Sequence, residues 1–419
     1  MSAEASALLR AGEAALKRRD FAAACADLSR AVELVPALAP AHSLLGRARH
    51  ATGDLPGALA AFDAAHGLGE GGPDFERRRA NLLLDLERPA EAAQGFRTAL
   101  ARAARSAGAW YGLATALAEL DDVAGAQDAF MRWGGIPGPA GADAHLDTRA
   151  IARQIRLDDA FFAALPRDAG PAPEGDYAEG DTPLVFAAAD AGYATRFAEL
   201  LAGNLAARAP GIALHLHVVN PTPESEARLA RVKDLTQGHL DFAVTRETTD
   251  LARFDGPHGH LPAKTYYSCA RFLALPGLLA RYRRPILVCD IDLAPTRDPR
   301  PWLDDLAAAD AGANVKIRYD FANHLLATMV YVGDTPAGRE FAASVAGYCR
   351  HFLDARQAAW TLDQIALRAT HLHLRRKGAW RDFRVFAPDT MNWMDDNVPL
   401  DEAQKRFLFV SLYSSVPRV

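Results

Sequence analysis

Apolar positions recur along the first third of the chain at helical intervals, and the pattern then repeats itself. Residues 8–133 match themselves at a spacing of 34. Small residues fall at Gly12, Gly46, Ala80 and Ala114, alanines at Ala24, Ala58, Ala92 and Ala126, and a large apolar residue at Leu28, Phe62, Phe96 and Phe130. A further alanine follows at Ala31, Ala65 and Ala99. Each unit holds two helical stretches split by a polar turn such as Arg19-Asp20, Gly53-Asp54, Arg88-Pro89 or Asp121-Asp122. This predicts about four helical hairpins over residues 1–135. The small residues let helices approach closely, and the large residue four positions after the alanine fills the groove to the next hairpin. Trp133 stands where the fourth of the second alanines belongs, which suits a terminal repeat packing on something other than another repeat.

The period breaks at GGIPGPAGADAH, an amphipathic stretch follows around 146–165, and RDAGPAPEGDYAEGD at 167–181 is rich in turn formers. Residues 136–181 are therefore expected to be a linker with one helix. From Thr182 short apolar runs alternate with helical patterns: LVFAAA, a helix over about 194–207, IALHLHVV, a helix from about Glu224, LDFAV, a helix from about Lys264 to Tyr282, then PILVCDID. The alternation predicts an α/β domain over 182–419 with a mostly parallel sheet and ligands at the carboxyl ends of its strands.

At 50% apolar and 24% charged residues, the 419-residue chain has the balance of a folded protein, which excludes disordered, collagen-like and disulfide-scaffold classes. Residues 1–150 carry 16 Lys+Arg against 19 Asp+Glu and the remainder 31 against 33, so no basic nucleic-acid platform is expected in either half. No apolar run reaches the length of a membrane span, the start lacks a signal-peptide core, and the expected location is the cytoplasm. Cys25, Cys269, Cys289 and Cys349 form no metal-binding pair and read as reduced small hydrophobes. The glycines at 67, 69, 71 and 72 follow a helix, where a phosphate loop must follow a strand.

The strongest chemical signal is Asp290-Ile291-Asp292 at the end of the most apolar strand. Strand alternation puts both carboxylates on one face, about 6–7 Å apart. Two hard oxygen ligands can hold Mg²⁺ or Mn²⁺, with the remaining positions open to water and a diphosphate. Lys264, Tyr267 and Arg271 sit at separations of three and four residues, so one helix face can carry all three.

Two resemblances follow. The array is similar to tetratricopeptide repeats in its period, in Leu45-Gly46, in Trp110 and Leu113, and in Pro36 closing the first unit. The run Tyr266-Tyr267-Ser268-Cys269-Ala270-Arg271-Phe272-Leu273-Ala274-Leu275-Pro276, continued by ILVCDIDLAPTRDP, resembles the corresponding run of GT-A glycosyltransferases similar to glycosyltransferase family 8. FAAADAGYATR, HLHVVNP and TLDQIAL agree in order. The resemblance implies a metal-dependent glycosyltransferase that moves a hexosyl group from a nucleotide sugar, a UDP-sugar donor, to a protein or glycan acceptor gripped by the repeats. It implies base contacts from Asp190 and Tyr193, donor contacts from Lys264, Tyr267 and Arg271, metal and ribose contacts from Asp290 and Asp292, and catalytic roles beside the sugar for Asp363 and Gln364. Mn²⁺ or Mg²⁺ is the implied cofactor.

This sequence departs from the family's pattern in reading Leu326-Ala327-Thr328-Met329 before a strand where relatives carry Asn-Ala-Gly, and in having no His after His373 and no Lys after Lys405. A repeat-based adaptor with a catalytically silent nucleotide-sugar-binding domain therefore stays open as the alternative. Arg375, Arg376, Lys377, Arg381 and Arg384 read as a solvated basic face, His258 and His260 as solvated loop residues, and Trp360 and Trp393 as packing residues.

Overall fold

A computed structural model describes residues 2–137, 148–167, 173–255, 262–315, 320–322, 324–386, 391–392 and 409–411. His258, His260 and Trp393 lie outside the described residues. Two compact units divide the chain, one of residues 1–137 with 318–320, the other of 138–317 and 321–419.

In the first unit the described residues form four hairpins: α1 (Ala3–Lys17) with α2 (Phe21–Leu34), α3 (Ala39–Thr52) with α4 (Leu55–Gly67), α5 (Pro73–Asp85) with α6 (Pro89–Arg102), and α7 (Ala107–Glu119) with α8 (Val123–Gly134). Local chemistry starts each helix. Ser2, Asp20, Asp54, Ser106 and Asp122 cap α1, α2, α4, α7 and α8 through their side chains, while α3, α5 and α6 open on a proline in the first turn. The intra-hairpin turn repeats at the same register: Arg19, Gly53, Glu87 and Asp121, each 34 residues apart, all adopt left-handed φ of 57–84°. The groove-filling residues Leu28, Phe62, Phe96 and Phe130 are fully buried. A Cβ on Gly46 would stand 3.0 Å from the Phe62 ring, which explains the small residue there.

The second unit opens with α9 (Thr148–Gln154) and α10 (Asp159–Ala164). The stretch expected as a linker with one helix is thus two short helices seated on the α/β unit. Phe162 stacks on His373 with ring centroids 4.1 Å apart, Phe161 packs edge-on to Tyr348, and the Tyr348 hydroxyl donates to the carbonyl of Gln154. Aromatic burial outweighs the turn-rich flanks that suggested a linker.

The sheet unit continues with β1 (Glu174–Gly175), β2 (Leu184–Asp190), α11 (Ala191–Arg208), β3 (Ala213–Val219), α12 (Pro223–Thr236), β4 (Asp241–Glu247), a 3₁₀ turn (Leu251–Phe254), α13 (Pro262–Tyr282) and β5 (Ile286–Cys289). It ends with β6 (Leu293–Pro295), α14 (Arg300–Asp305), β7 (Ala311–Val315), β8 (Leu325–Val332), α15 (Pro336–Asp354), α16 (Leu362–Arg376), β9 (Phe383–Phe386), β10 (Met391–Asn392) and β11 (Phe409–Ser411). The large sheet runs β1-β4-β3-β2-β5-β8-β7-β9, and β10-β11-β6 form a small one.

The expectation of a mostly parallel sheet is corrected: the sheet is mixed. β4, β3, β2 and β5 are parallel, but β8 is antiparallel to both β5 and β7, and β1 is antiparallel to β4. Residues 316–324 between β7 and β8 are fewer than the dozen or so a parallel crossover needs. Residues buried at 0% on both sides of β2 and β3, such as Val185 with Phe186 and Ala213 with Leu214, place the parallel core between helical layers. Among the described residues no helix is long and apolar enough to cross a membrane.

Candidate functional site

The carboxyl ends of the parallel strands carry the chemistry. β2 ends on Asp190, whose carboxylate caps α11 by accepting from the Tyr193 amide at 2.9 Å. β3 ends before Asn220, which holds a left-handed φ of 51° and exchanges two hydrogen bonds with the Thr249 backbone. Tyr267 of α13 meets both strand ends. Burial first, and then the Asp190 charge, push its phenol up, while a hydrogen bond with Asn220 opposes them. Tyr193 is exposed, its ring 5.4 Å from Phe197.

β5 ends at Cys289, so Asp290-Ile291-Asp292 is a turn leading into β6, with Leu293 N–H donating back to the Asp290 carbonyl. The expected strand alternation does not set the pair. The turn does, with Ile291 buried beneath it and the Asp290 amide held by the Thr328 carbonyl at 3.0 Å.

Arg271 joins these pieces. It lies on the buried side of α13, and its guanidinium donates from Nη1 to Asp290 and from Nη2 to Asp363 Oδ2 at 3.2 Å. Asp363 is in the first turn of α16, 92 residues further along the chain. Burial works against the Arg271 charge, yet the two carboxylates hold its pKa above the ordinary value. The carboxylates feel burial most: it raises Asp290 against the pull of Arg271, it lifts Asp363 to about 6, and burial followed by the Asp290 charge lifts Asp292 to about 6. One guanidinium among three carboxylates leaves an excess of negative charge.

Around this hub sit buried polar atoms without a hydrogen-bond partner: Arg271 Nε, Thr328 Oγ1, Thr361 Oγ1 and Gln364 Oε1. Thr361 itself holds a left-handed φ of 87° at the start of α16, a cost that a β-branched residue meets only where its surroundings enforce it. Such strain and unmet hydrogen bonding cluster where a ligand completes a site.

The structure thus brings together Arg271, Asp290, Asp292 and Asp363, and beside them Tyr267 with Asp190. Lys264 is exposed, its ammonium 4.3 Å from the centroid of the Trp360 ring, next to Thr361 in the chain. Among the described residues no group of three or more His, Cys, Asp or Glu side chains is arranged to hold a metal. The basic stretch is paired: Arg376 with Asp159, Lys377 with Glu340, Arg381 with Asp310 and Arg384 with Asp382. Sequence reasoning missed Asn220, Thr328 and Thr361. Only the first left a signal, an asparagine ahead of a proline at a strand end.

A tetratricopeptide repeat model matches residues 9–73 and 77–136, and the N-terminal hairpins are tetratricopeptide repeats. Among solved structures the chain is similar to YrrB, described as a TPR protein with an unusual peptide-binding site, at 19% identity over 35% of this chain and 74% of that one, with a TM-score of 0.30. It is similar to MamA of Desulfovibrio magneticus RS-1 at 18% identity over 37% and 82% of the two chains, with a TM-score of 0.33. A mutant O-GlcNAc transferase of Thermobaculum terrenum is 16% identical over 59% of this chain and 41% of its own, with a TM-score of 0.30. No curated protein matches the chain.

Proposed function

We propose that the α/β unit is a metal-dependent glycosyltransferase of the GT-A type, similar to family 8, that takes a nucleotide-sugar donor at the carboxyl ends of β2, β3 and β5. The observation that carries the reading is the buried Arg271 linking Asp290 and Asp363, ringed by unmet polar atoms of Thr328, Thr361 and Gln364. A polyhydroxylated sugar supplies the donors and acceptors those atoms lack. Asp190, Asn220 and Tyr267 form the neighbouring polar wall for the nucleotide, with Tyr193 at its exposed edge.

Hard carboxylate oxygens and surplus negative charge fit a divalent cation, with Asp290 and Asp292 as its ligands among the described residues. When bound, Mn²⁺ or Mg²⁺ supplies Lewis-acid stabilisation of diphosphate charge. The chain's own part is electrostatic. The Arg271 guanidinium, fixed by two carboxylates, faces negative charge as the glycosyl–oxygen bond breaks and its electron pair stays on the diphosphate. Asp363, its pKa raised to about 6, orients the acceptor hydroxyl or takes its proton, and Gln364 holds the sugar. The tetratricopeptide repeats recruit a protein or protein-bound glycan as acceptor.

The absence of a three-ligand cluster among the described residues favours a second reading, an adaptor whose α/β unit binds a nucleotide sugar without turnover. Thermal shifts with UDP, UDP-sugars and Mn²⁺ test both. Saturation at a hundredfold excess over Kd stabilises by about 2.7 kcal/mol. The glycosyltransferase reading expects a UDP shift enhanced by Mn²⁺, lost in Asp292→Asn, together with slow release of free sugar. A Mn²⁺-independent shift without sugar release supports the adaptor, and no shift with any nucleotide sinks both.

A further inference from the structure

A cavity of about 310 Å³ lies between the end of β4, the 3₁₀ turn, α13 and the last turns of α15. Such a volume is at the lower end for small-molecule sites. Tyr266 and Leu273 line it, and at 3.6 residues per turn they share the face of α13 opposite Arg271. Arg271, Asp290, Asp292 and Asp363 are not among its lining residues, although Thr249, which is, bonds Asn220.

The ionised groups around it are nearly all engaged. Arg246 makes a two-bond pair with Glu226 at 2.7 and 2.8 Å, and Arg253 reaches Asp354 at 3.3 Å. Glu247 accepts from the Tyr266 hydroxyl and from His217 Nε2 at 3.2 Å, and these donors outweigh burial and hold it below the ordinary carboxylate range. Behind Glu247 a chain of hydrogen bonds runs through the sheet: His217 Nδ1 to Thr245 at 2.9 Å, Thr245 to His215 Nε2 at 2.8 Å, and His215 Nδ1 to Tyr282 at 2.7 Å. Burial pushes His215 down to about 3, so it is neutral within this chain. Hydrogen bonds lock the floor in place.

Arg350 remains. It projects from α15 into the cavity, half-buried, and among the described residues it has no hydrogen bond or ion pair. With Arg246 paired to Glu226 and Arg253 to Asp354, Arg350 is the guanidinium without an ion pair among the described residues lining the cavity, beside the apolar surfaces of Phe254, Leu273 and Leu353. One unpaired guanidinium matches one negative charge, whereas a dianion would be repelled by Glu247 and Asp354.

We propose that this cavity binds a small organic carboxylate with an apolar body, its charge on Arg350 and its body against Phe254, Leu273 and Leu353. The site stands whether or not the other face of α13 serves sugar transfer. Benzoate is the probe, with benzyl alcohol as its neutral counterpart and phenyl phosphate as the dianion, each added to the full chain in thermal-shift and saturation-transfer NMR titrations. Benzoate is expected to bind and stabilise, Arg350→Gln to weaken it at least tenfold, Arg350→Lys to restore most of the affinity, and Asp292→Asn to leave it unchanged. The lysine variant also covers the case in which the glutamine variant folds poorly. No benzoate binding, equal binding of benzyl alcohol, tighter binding of phenyl phosphate, or undiminished binding in Arg350→Gln each overturns the assignment.

Discussion

At the scale of single residues, Arg271 is the point on which the candidate site turns. Its carboxylate partners, buried Asp363 and half-buried Asp290, come from different elements, so Arg271→Ala leaves both without a counter-charge. Breaking a buried pair from one side costs about 3–5 kcal/mol, and urea denaturation should show that loss, with Arg271→Lys recovering part of it. A loss under about 1 kcal/mol would mean that water already screens the pair. Asp363 adds a pH signature. Its folded pKa of about 6 lies above the ordinary carboxylate value, so the folded state holds the proton more tightly than the unfolded chain does. Stability therefore falls as pH rises from about 4 to about 6, and the penalty is complete above that window. Asp363→Asn removes this residue's share of the fall, which denaturation at stepped pH reads as a shallower slope; an unchanged slope contradicts the raised pKa. The motif Asp290-Ile291-Asp292 and the residues Arg271 and Asp363 were legible in the sequence as separate signals. Their pairing was not, because 92 residues separate Arg271 from Asp363 and no local pattern records that distance.

Elements are where the repeats show their rules. The small residue on the first helix of each hairpin and the large one on the second are a matched pair, visible at Gly46 and Phe62. Gly46→Val forces the Phe62 ring aside, an overpacking cost of about 1–3 kcal/mol. The opposite change is available at the turn. Glu87 holds φ at 57° where the equivalent Gly53 holds 84° without side-chain strain, so Glu87→Gly should stabilise by about 0.5–1 kcal/mol. Helical circular dichroism during urea denaturation of the full chain reads both, and identical midpoints for the two variants would contradict the argument. In the α/β unit, strand and helix order from β2 to β5 followed from hydrophobic alternation. The antiparallel β8 did not, since a strand's direction depends on its connection and its neighbour, neither of which its own composition records.

For the whole molecule, the boundary has a direct test. Phe161 and Phe162 of α10 pack on Tyr348, Phe352 and His373, so a fragment starting at Thr182 exposes those three. A fragment of residues 148–419 is expected to melt cooperatively, whereas 182–419 should bind hydrophobic dyes and aggregate. Equal, cooperative melts for the two would return 148–165 to the role of a linker.

The sequence by itself determined the repeat number and register, the four strands β2 to β5 of the parallel core, and the acidic and basic positions of the candidate site. These are local or periodic properties, written within windows of a few dozen residues. Tertiary structure decided that Asp290 and Asp292 sit in a turn, that Arg271 bridges Asp290 to Asp363, that Asp190 caps a helix beside Tyr267, and that the basic stretch is neutralised by its neighbours. Each of those outcomes depends on which distant groups share a low-dielectric interior, where an unpaired charge or polar atom is costly enough to select its partner.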